Sequence, residues 1–263
     1  MPEGDTVWRA ARTLDRGLSG KILDATDFRV PDLATADLAG GRVRKTLARG
    51  KHLLTRIDAE QEWTLHTHLK MEGAWRVLSP GGRWPRPAHT ARVVLTTADA
   101  VAVGFSLGIV ELVPREREPD LVGHLGPDLL GPDWDPDEAV RRLRAEPDRP
   151  VKDALLDQTR LAGIGNMYAA ELCFVFGLDP LTPVGHVPDL DRLVRRAHQL
   201  LDLNRHRAQQ STTGDLRRGQ QFWVYDRGGR PCRRCHTPIV TTRQGDPGRE
   251  RATFACPSCQ RLR

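Results

Sequence analysis

Lysine is nearly missing from this basic chain: of 40 basic residues only Lys21, Lys45, Lys51, Lys70 and Lys152 are lysines. Arginine dominance suits bidentate phosphate contacts, and it equally fits GC-rich coding. No apolar run approaches the ~18 residues that a membrane span needs. The start of the chain lacks the basic stretch and apolar core of a signal peptide, so a soluble, intracellular protein is expected. Cysteine is sparse, with five in 263 residues, and four of the five lie from Cys232 onward. That placement argues against a disulfide scaffold spread through the fold. Aromatic residues are only 5 %, thin for a module that recognises RNA by stacking bases. No internal repeat is present.

What the chain does have is positive charge. A net charge of +6 and a pI near 9.4 point to a polyanion or an anionic surface as partner. The length allows two modest domains or one large one. Residues 5–18 carry Val7, Ala10, Ala11, Leu14 and Leu18 at the spacing of one helical face. Eight short runs rich in β-branched residues follow: Ile22–Phe28, Val43–Ala48, His52–Ile57, Trp63–Leu69, Ala74–Leu78, Arg92–Thr97, Val101–Phe105 and Ile109–Val113. They read as a β-sandwich or barrel. A Pro-, Gly- and Asp-rich stretch at 119–136 reads as a linker. Helices are expected at Asp137–Ala145, Val151–Asp157, Asn166–Phe176 and Asp189–Asn204. The fold class is therefore α+β and multidomain: a β domain at 1–118, a helical domain at 137–219 and a cysteine-bearing domain at 220–263.

Three local features carry chemistry. Cys232-x2-Cys235 and Cys256-x2-Cys259 have the spacing of a four-thiolate zinc site. Ile239–Thr242 and Ala252–Ala255 would form a hairpin between the pairs. Two disulfides are the other reading, disfavoured by the expected intracellular setting. A closed four-Cys site leaves no open coordination position, so its Zn2+ would be structural. Cys173 falls in an apolar helix and reads as a small core residue. Gly163-Ile164-Gly165-Asn166 precedes an apolar helix; Asn166 suits an N-cap, and the free amides of a helix start attract phosphate. A simple capped helical hairpin has the same shape. Finally, removal of Met1 would leave Pro2 as a secondary amine beside the Glu3 carboxylate, a pair suited to iminium chemistry with proton transfer. A Glu ahead of a helix is also favourable simply as a complement to the helix dipole.

Taken together, the Met-Pro-Glu-Gly start, Arg49-Gly50-Lys51, Leu161-Ala162-Gly163-Ile164-Gly165-Asn166 and the closing Cys256-Pro257-Ser258-Cys259-Gln260 resemble the formamidopyrimidine-DNA glycosylase/endonuclease VIII family over essentially the whole chain. The resemblance implies an N-terminal β-sandwich with an N-terminal helix, a helix–two-turn–helix domain and a zinc-finger hairpin, with DNA bound across the cleft. It implies a bifunctional base-excision repair enzyme, a DNA glycosylase with abasic-site lyase activity. Pro2 is then the nucleophile at C1′, Glu3 the acid/base that protonates the opening sugar, and Lys51 a contact to the phosphate beside the lesion. Asn166 and Arg251 would grip the DNA backbone. Met71, in His68-Leu69-Lys70-Met71-Glu72-Gly73, would fill the void left by an extruded nucleotide, with Leu107 as a candidate companion.

The sequence departs from the family pattern at Thr6, where many members carry a second acidic residue. The segment Ser211–Phe222 looks short compared with members that cap an oxidised purine. With the Pro-Glu-Gly opening, this leans towards the endonuclease VIII branch and oxidised pyrimidines. The expected partner is damaged DNA, duplex and also single-stranded or bubble, met by a monomer in the cytoplasm and associated with the nucleoid. The alternative is a catalytically silent DNA-binding zinc protein of the same fold. A general zinc-ribbon RNA-binding module leaves the Pro-Glu start unexplained.

Overall fold

The apolar stripe near the start forms helix α1, Gly4–Leu18, in a computed structural model that describes residues 2–245, 248 and 250–262. Val7, Ala11, Leu14 and Leu18 are buried along one side of it. Asp15 accepts hydrogen bonds from Ser19 Oγ at 2.6 Å and from the Thr46 N–H at 2.9 Å, tying the helix to the neighbouring strand. The chain divides into two units, ending and starting at His124 and Leu125.

In the first unit all eight expected strands form: β1 Ala25–Phe28, β2 Arg42–Arg49, β3 His52–Asp58, β4 Glu62–His68, β5 Ala74–Leu78, β6 Ala91–Thr97, β7 Ala100–Phe105 and β8 Ile109–Pro114. They make two four-stranded antiparallel sheets, ordered β1-β6-β7-β5 and β2-β3-β4-β8. The first strand starts later than its apolar run suggests, because Ile22 makes only a single bridge, to Arg42. Leu53, Ile57 and Leu65 from one sheet and Val93, Leu95 and Ala102 from the other join the α1 stripe in one apolar cluster. This is the expected sandwich with a helix. Part of the expected linker is ordered as a short helix, α2, Glu118–Val122. Glu118 starts it and accepts hydrogen bonds from Arg56 at 2.6 and 3.0 Å and from Thr64 at 2.7 Å.

The second unit holds α3 Pro136–Arg144, α4 Val151–Leu156, α5 Asn166–Val175 and α6 Leu190–Arg205. Asp135 and Asp189 cap α3 and α6 with their side chains. Helix α5 is apolar on all sides and is buried from Asn166 to Phe174, as a central helix must be. Strands β9 Val240–Gln244 and β10 Arg251–Ala255 pair as an antiparallel hairpin. Among the described residues, no helix is long and apolar enough to cross a membrane.

Leu65 sits on β4 at 1 % exposure, inside the cluster shared by both sheets. Leu65→Ala is expected to lower unfolding stability by about 2–5 kcal/mol through lost burial and a residual cavity, read as a drop in the urea midpoint. Leu65→Met is expected to cost less than about 1.5 kcal/mol. An unchanged midpoint for the alanine variant contradicts this core assignment.

Candidate functional site

The chain enters α1 through Glu3, an extended N-cap residue whose side chain is fully buried. Its carbonyl accepts the Val7 N–H at 3.0 Å, while Pro2 is half-buried just ahead of it. Met1 lies outside the described residues. Asp5, in the first turn of α1, is also fully buried. A second carboxylate therefore accompanies Glu3 one residue before Thr6. From the sequence alone, Asp5 reads as an ordinary dipole-complementing acid of a first helical turn, so its burial could not be foreseen.

Lys51 follows the turn between β2 and β3, and His52 pairs with His68 across β3 and β4. The loop after β4 carries Met71, which is 65 % exposed. The ladder thus places the Lys51 turn and the Met71 loop at the same end of one sheet. Lys70, next to Met71, has φ of 50° and donates its N–H to His68 Nδ1 at 2.9 Å. A methyl group at Gly108 would lie 2.2 Å from Lys70 Cγ, so the absence of a side chain there lets Lys70 pass. Leu107 does not join Met71 at the surface. It is 7 % exposed and packs in the sandwich core, where Gly104 leaves room for it beside Trp75.

The same sheet end holds histidines that attract no notice in the sequence, because single imidazoles in strands have no periodic signature. His52 Nδ1 lies 2.8 Å from His66 Nε2, and His66 Nδ1 lies 2.8 Å from Glu111 Oε2. The rings of His52 and His66 stack at 5.0 Å, with His68 and His124 edge-on to His52 at 5.1 and 6.5 Å. Burial, then the charges of His66, His68, His124 and Lys70, push the His52 pKa down to about 3. Burial, then Lys70, Lys51 and His66, push His68 down to about 4.

In the second unit, Gly163 has φ of +110°, the left-handed backbone that favours glycine. The N-cap of α5 is Gly165, not Asn166. Asn166 is the first helical residue instead, and its Nδ2 donates to the Ala252 carbonyl of β10 at 2.8 Å. That long-range contact competes with local capping and wins. One residue further along β10, Thr253 Oγ1 accepts from Lys152 Nζ at 2.7 Å. Lys152 is fully buried, and that burial lowers its pKa. Gln244 of β9 donates to Asp153 at 3.2 Å. Arg251, at the head of β10, lines a polar cavity of about 490 Å³ together with Arg149, Asp153, Asp157 and Gln244.

The sulfurs of Cys232, Cys235, Cys256 and Cys259 all lie within 4.8 Å of one another, and no disulfide joins them. Tetrahedral Zn–S bonds of about 2.3 Å place sulfurs about 3.8 Å apart, so these four fit one metal ion. Hydrogen bonds from Thr237 bring Cys235 down to about 6, making it the readiest thiolate of the set. Cys173 is buried in α5, as a core residue should be. Glu171, also on α5, is fully buried and accepts the backbone N–H groups of Trp223, Val224 and Tyr225 at 2.8 Å each, besides the Thr212 hydroxyl. It thereby fixes the segment that leads into the cysteine hairpin.

Two family models match this chain: the formamidopyrimidine-DNA glycosylase N-terminal domain over residues 1–106 and its H2TH domain over residues 125–213. The chain is 53 % identical to "Probable endonuclease 8 2" of Streptomyces coelicolor, covering 99 % of this chain and 94 % of that protein. It is 52 % identical to "DNA-(apurinic or apyrimidinic site) lyase Nei2" of Mycolicibacterium smegmatis, covering 99 % of each. Among solved structures, a complex between Lactococcus lactis Fpg and abasic-site DNA superposes with a TM-score of 0.80. Sequence identity is 22 % there, over 99 % of this chain and 100 % of that one.

Two outcomes test this geometry. The folded pKa values of His52 and His68 lie below the ~6.5 of an unfolded histidine, so between those values the unfolded chain binds more protons. Their contribution is complete above about pH 6.5 and is lost as pH falls towards 4 and then 3. Urea midpoints are expected to be lower at about pH 5 than at about pH 7.5, with His52→Gln removing part of the difference. An equal loss in both proteins contradicts the assignment. Cys256→Ser is expected to release the bound metal and expose the hairpin to proteolysis; full metal content and an intact hairpin would count against a shared four-thiolate site.

Proposed function

The chain belongs to the formamidopyrimidine-DNA glycosylase family, and on that footing we propose that it is a bifunctional base-excision repair enzyme, a DNA glycosylase with abasic-site lyase activity. The observation that carries this reading is the placement of Pro2, second in the sequence, directly before Glu3, which is fully buried at the head of α1. With Met1 removed, the Pro2 nitrogen attacks C1′ of the damaged nucleotide as the base leaves. Glu3 protonates the sugar oxygen as the ring opens, which yields an iminium. The iminium acidifies the adjacent C2′–H, and elimination then breaks the strand on the 3′ side and next on the 5′ side. One amine thus serves both activities.

Lys51 contacts the phosphate next to the lesion, and the exposed Met71 fills the void left by the extruded nucleotide. At the second unit the DNA backbone is held by the amides that open α5 around Asn166 and by Arg251. Contacts of this kind set register without reading sequence. The cysteine cluster holds one Zn2+, whose part is structural. The working division remains a catalytic sandwich at 1–118, a linker at 119–136, a helix–two-turn–helix domain at 137–219 and a zinc finger at 220–263.

Substrates in this proposal are oxidised pyrimidines in duplex DNA, and in single strands or bubbles, acted on by a monomer that associates with the nucleoid. A catalytically silent DNA binder is not favoured, since a relative of about half identity along its full length bears the name of a lyase.

Sodium borohydride reduces an iminium to a stable amine. Protein with a verified Pro2 terminus is expected to be trapped on an abasic-site duplex. Pro2→Gly is expected to reduce the adduct strongly, and Glu3→Gln to slow base release by about 10²–10⁴-fold. Absence of any adduct with correctly processed protein overturns the lyase assignment. Arg251→Ala is expected to lower the salt slope of duplex binding by about one unit; an unchanged slope removes Arg251 from the phosphate contacts.

A further inference from the structure

The reaction proposed above makes no use of the histidines at the Lys51 end of the second sheet, yet their wiring is directional. His66 and His68 are two residues apart on β4 and share a face, with His52 on β3 opposite His68. A carboxylate only accepts, so the 2.8 Å contact to Glu111 puts a hydrogen on His66 Nδ1, and in the neutral ring this leaves His66 Nε2 as an acceptor. His52 Nδ1 must then donate to that nitrogen, also across 2.8 Å. The lone pair at the end of this chain lies on His52 Nε2. His68 is wired differently. Its Nδ1 accepts the Lys70 N–H at 2.9 Å, which keeps that ring a neutral Nε2–H donor.

The charge around the chain is lopsided. Arg49 stands opposite His52 on β2, and Lys51 and Lys70 act on the ring cluster from the turn and the loop. His68 and His124 add two more imidazoles. The carboxylate bonded into the cluster is Glu111 on β8, with its side chain half exposed. A docked anion would add a counter-charge to these groups.

We propose that the His52–His66–Glu111 chain is a proton relay that takes up a proton when a DNA phosphodiester docks at the Lys51 turn, with Glu111 as the counter-charge. It rests on the duplex binding proposed above. A phosphate within ~4–6 Å offsets the repulsion from the lysines and favours the imidazolium by about 1–3 pKa units. The proton comes from solvent and bonds to the His52 Nε2 lone pair. No heavy-atom bond breaks. The new positive charge passes towards Glu111 by movement of a hydrogen within each of the two hydrogen bonds. Burial then works for the complex: in a low-dielectric site an imidazolium between the phosphate and the carboxylate is attracted to each more strongly than it would be in water.

Calorimetry of the metal-loaded, full-length protein with a duplex carrying a non-cleavable tetrahydrofuran abasic analogue tests the relay. Titrations at about pH 5.5 in cacodylate and in bis-tris, buffers of unlike ionisation heat, count the protons exchanged. Wild type is expected to take up between about 0.2 and about 0.8 of a proton per duplex, the uptake that a rise of about 2–3 units from a pKa of about 3 gives at that pH. Glu111→Gln keeps the shape of a half-exposed side chain, and His66→Gln interrupts the chain. Both are expected to lose at least half of the uptake and to flatten the dependence of Kd on pH, while the salt slope stays that of wild type. Tight duplex binding with no uptake in wild type, or uptake unchanged in both variants, overturns the relay and leaves the proposed function standing. Failure to bind the duplex at all removes both.

Discussion

A nucleophile carried on the chain's own terminus has no side-chain torsions with which to find its target, so the proposed chemistry depends on how firmly helix α1 is held. Val7 and Leu14 are 1 % exposed and Leu18 is not exposed at all, in a cluster shared with both sheets. Asp15 adds a polar tie to β2 through the Thr46 N–H. These contacts restrict rotation and sliding of the helix, and its first turn is where Glu3 and Asp5 are buried. Two carboxylates at a helix start are favoured by the helix dipole, which offsets part of the cost of removing them from water. The proline ring further narrows the backbone at the terminus. Rigidity at this point serves positioning, which contributes most to catalysis when the reacting atoms already lie close.

The second unit solves a different problem. A two-stranded hairpin is marginal in water by itself, and in the proposed function this one presents Arg251 at a fixed place. A four-cysteine cluster able to hold a metal ion at one end is joined by three buried polar groups. Asn166 holds the Ala252 carbonyl, Lys152 holds the Thr253 hydroxyl, and Glu171 gathers three consecutive amides from Trp223 to Tyr225. Each bond reaches a segment remote in sequence, and a buried bond of this type is costly to leave unmade. Arg251 immediately precedes the two pinned residues of β10. Its position is therefore tied to α4 and α5, the helices that flank the glycine turn.

Much of this was legible in the chain. Apolar patterning located all eight sandwich strands, the four larger helices of the second unit and both strands of the hairpin: most bury one face or one stripe, and α5 is apolar and buried all round. The cysteine spacing predicted the four-sulfur cluster for the same reason: tight turns leave little freedom. What escaped was long-range and polar. Asn166 has the composition of a cap, but Ala252, 86 residues away, claims its amide. Lys152 carries no local signal of burial and is fully buried. Nothing in the local pattern marks Asp5 or Glu171 for full burial. The family resemblance offered Leu107 as a companion to Met71, whereas Gly104 admits it to the core. The histidine cluster depends on strand register, which brings His52, His66 and Glu111 together from three strands.

The most direct test of the central claim is to map the covalent link itself. The borohydride-reduced complex is digested with a protease and a nuclease, and the sugar remnant is located by tandem mass spectrometry. The expected result is a mass addition on the nitrogen of Pro2, in a peptide that starts at that residue. An addition on Lys51, Lys70 or Lys152, with Pro2 unmodified, would contradict the account.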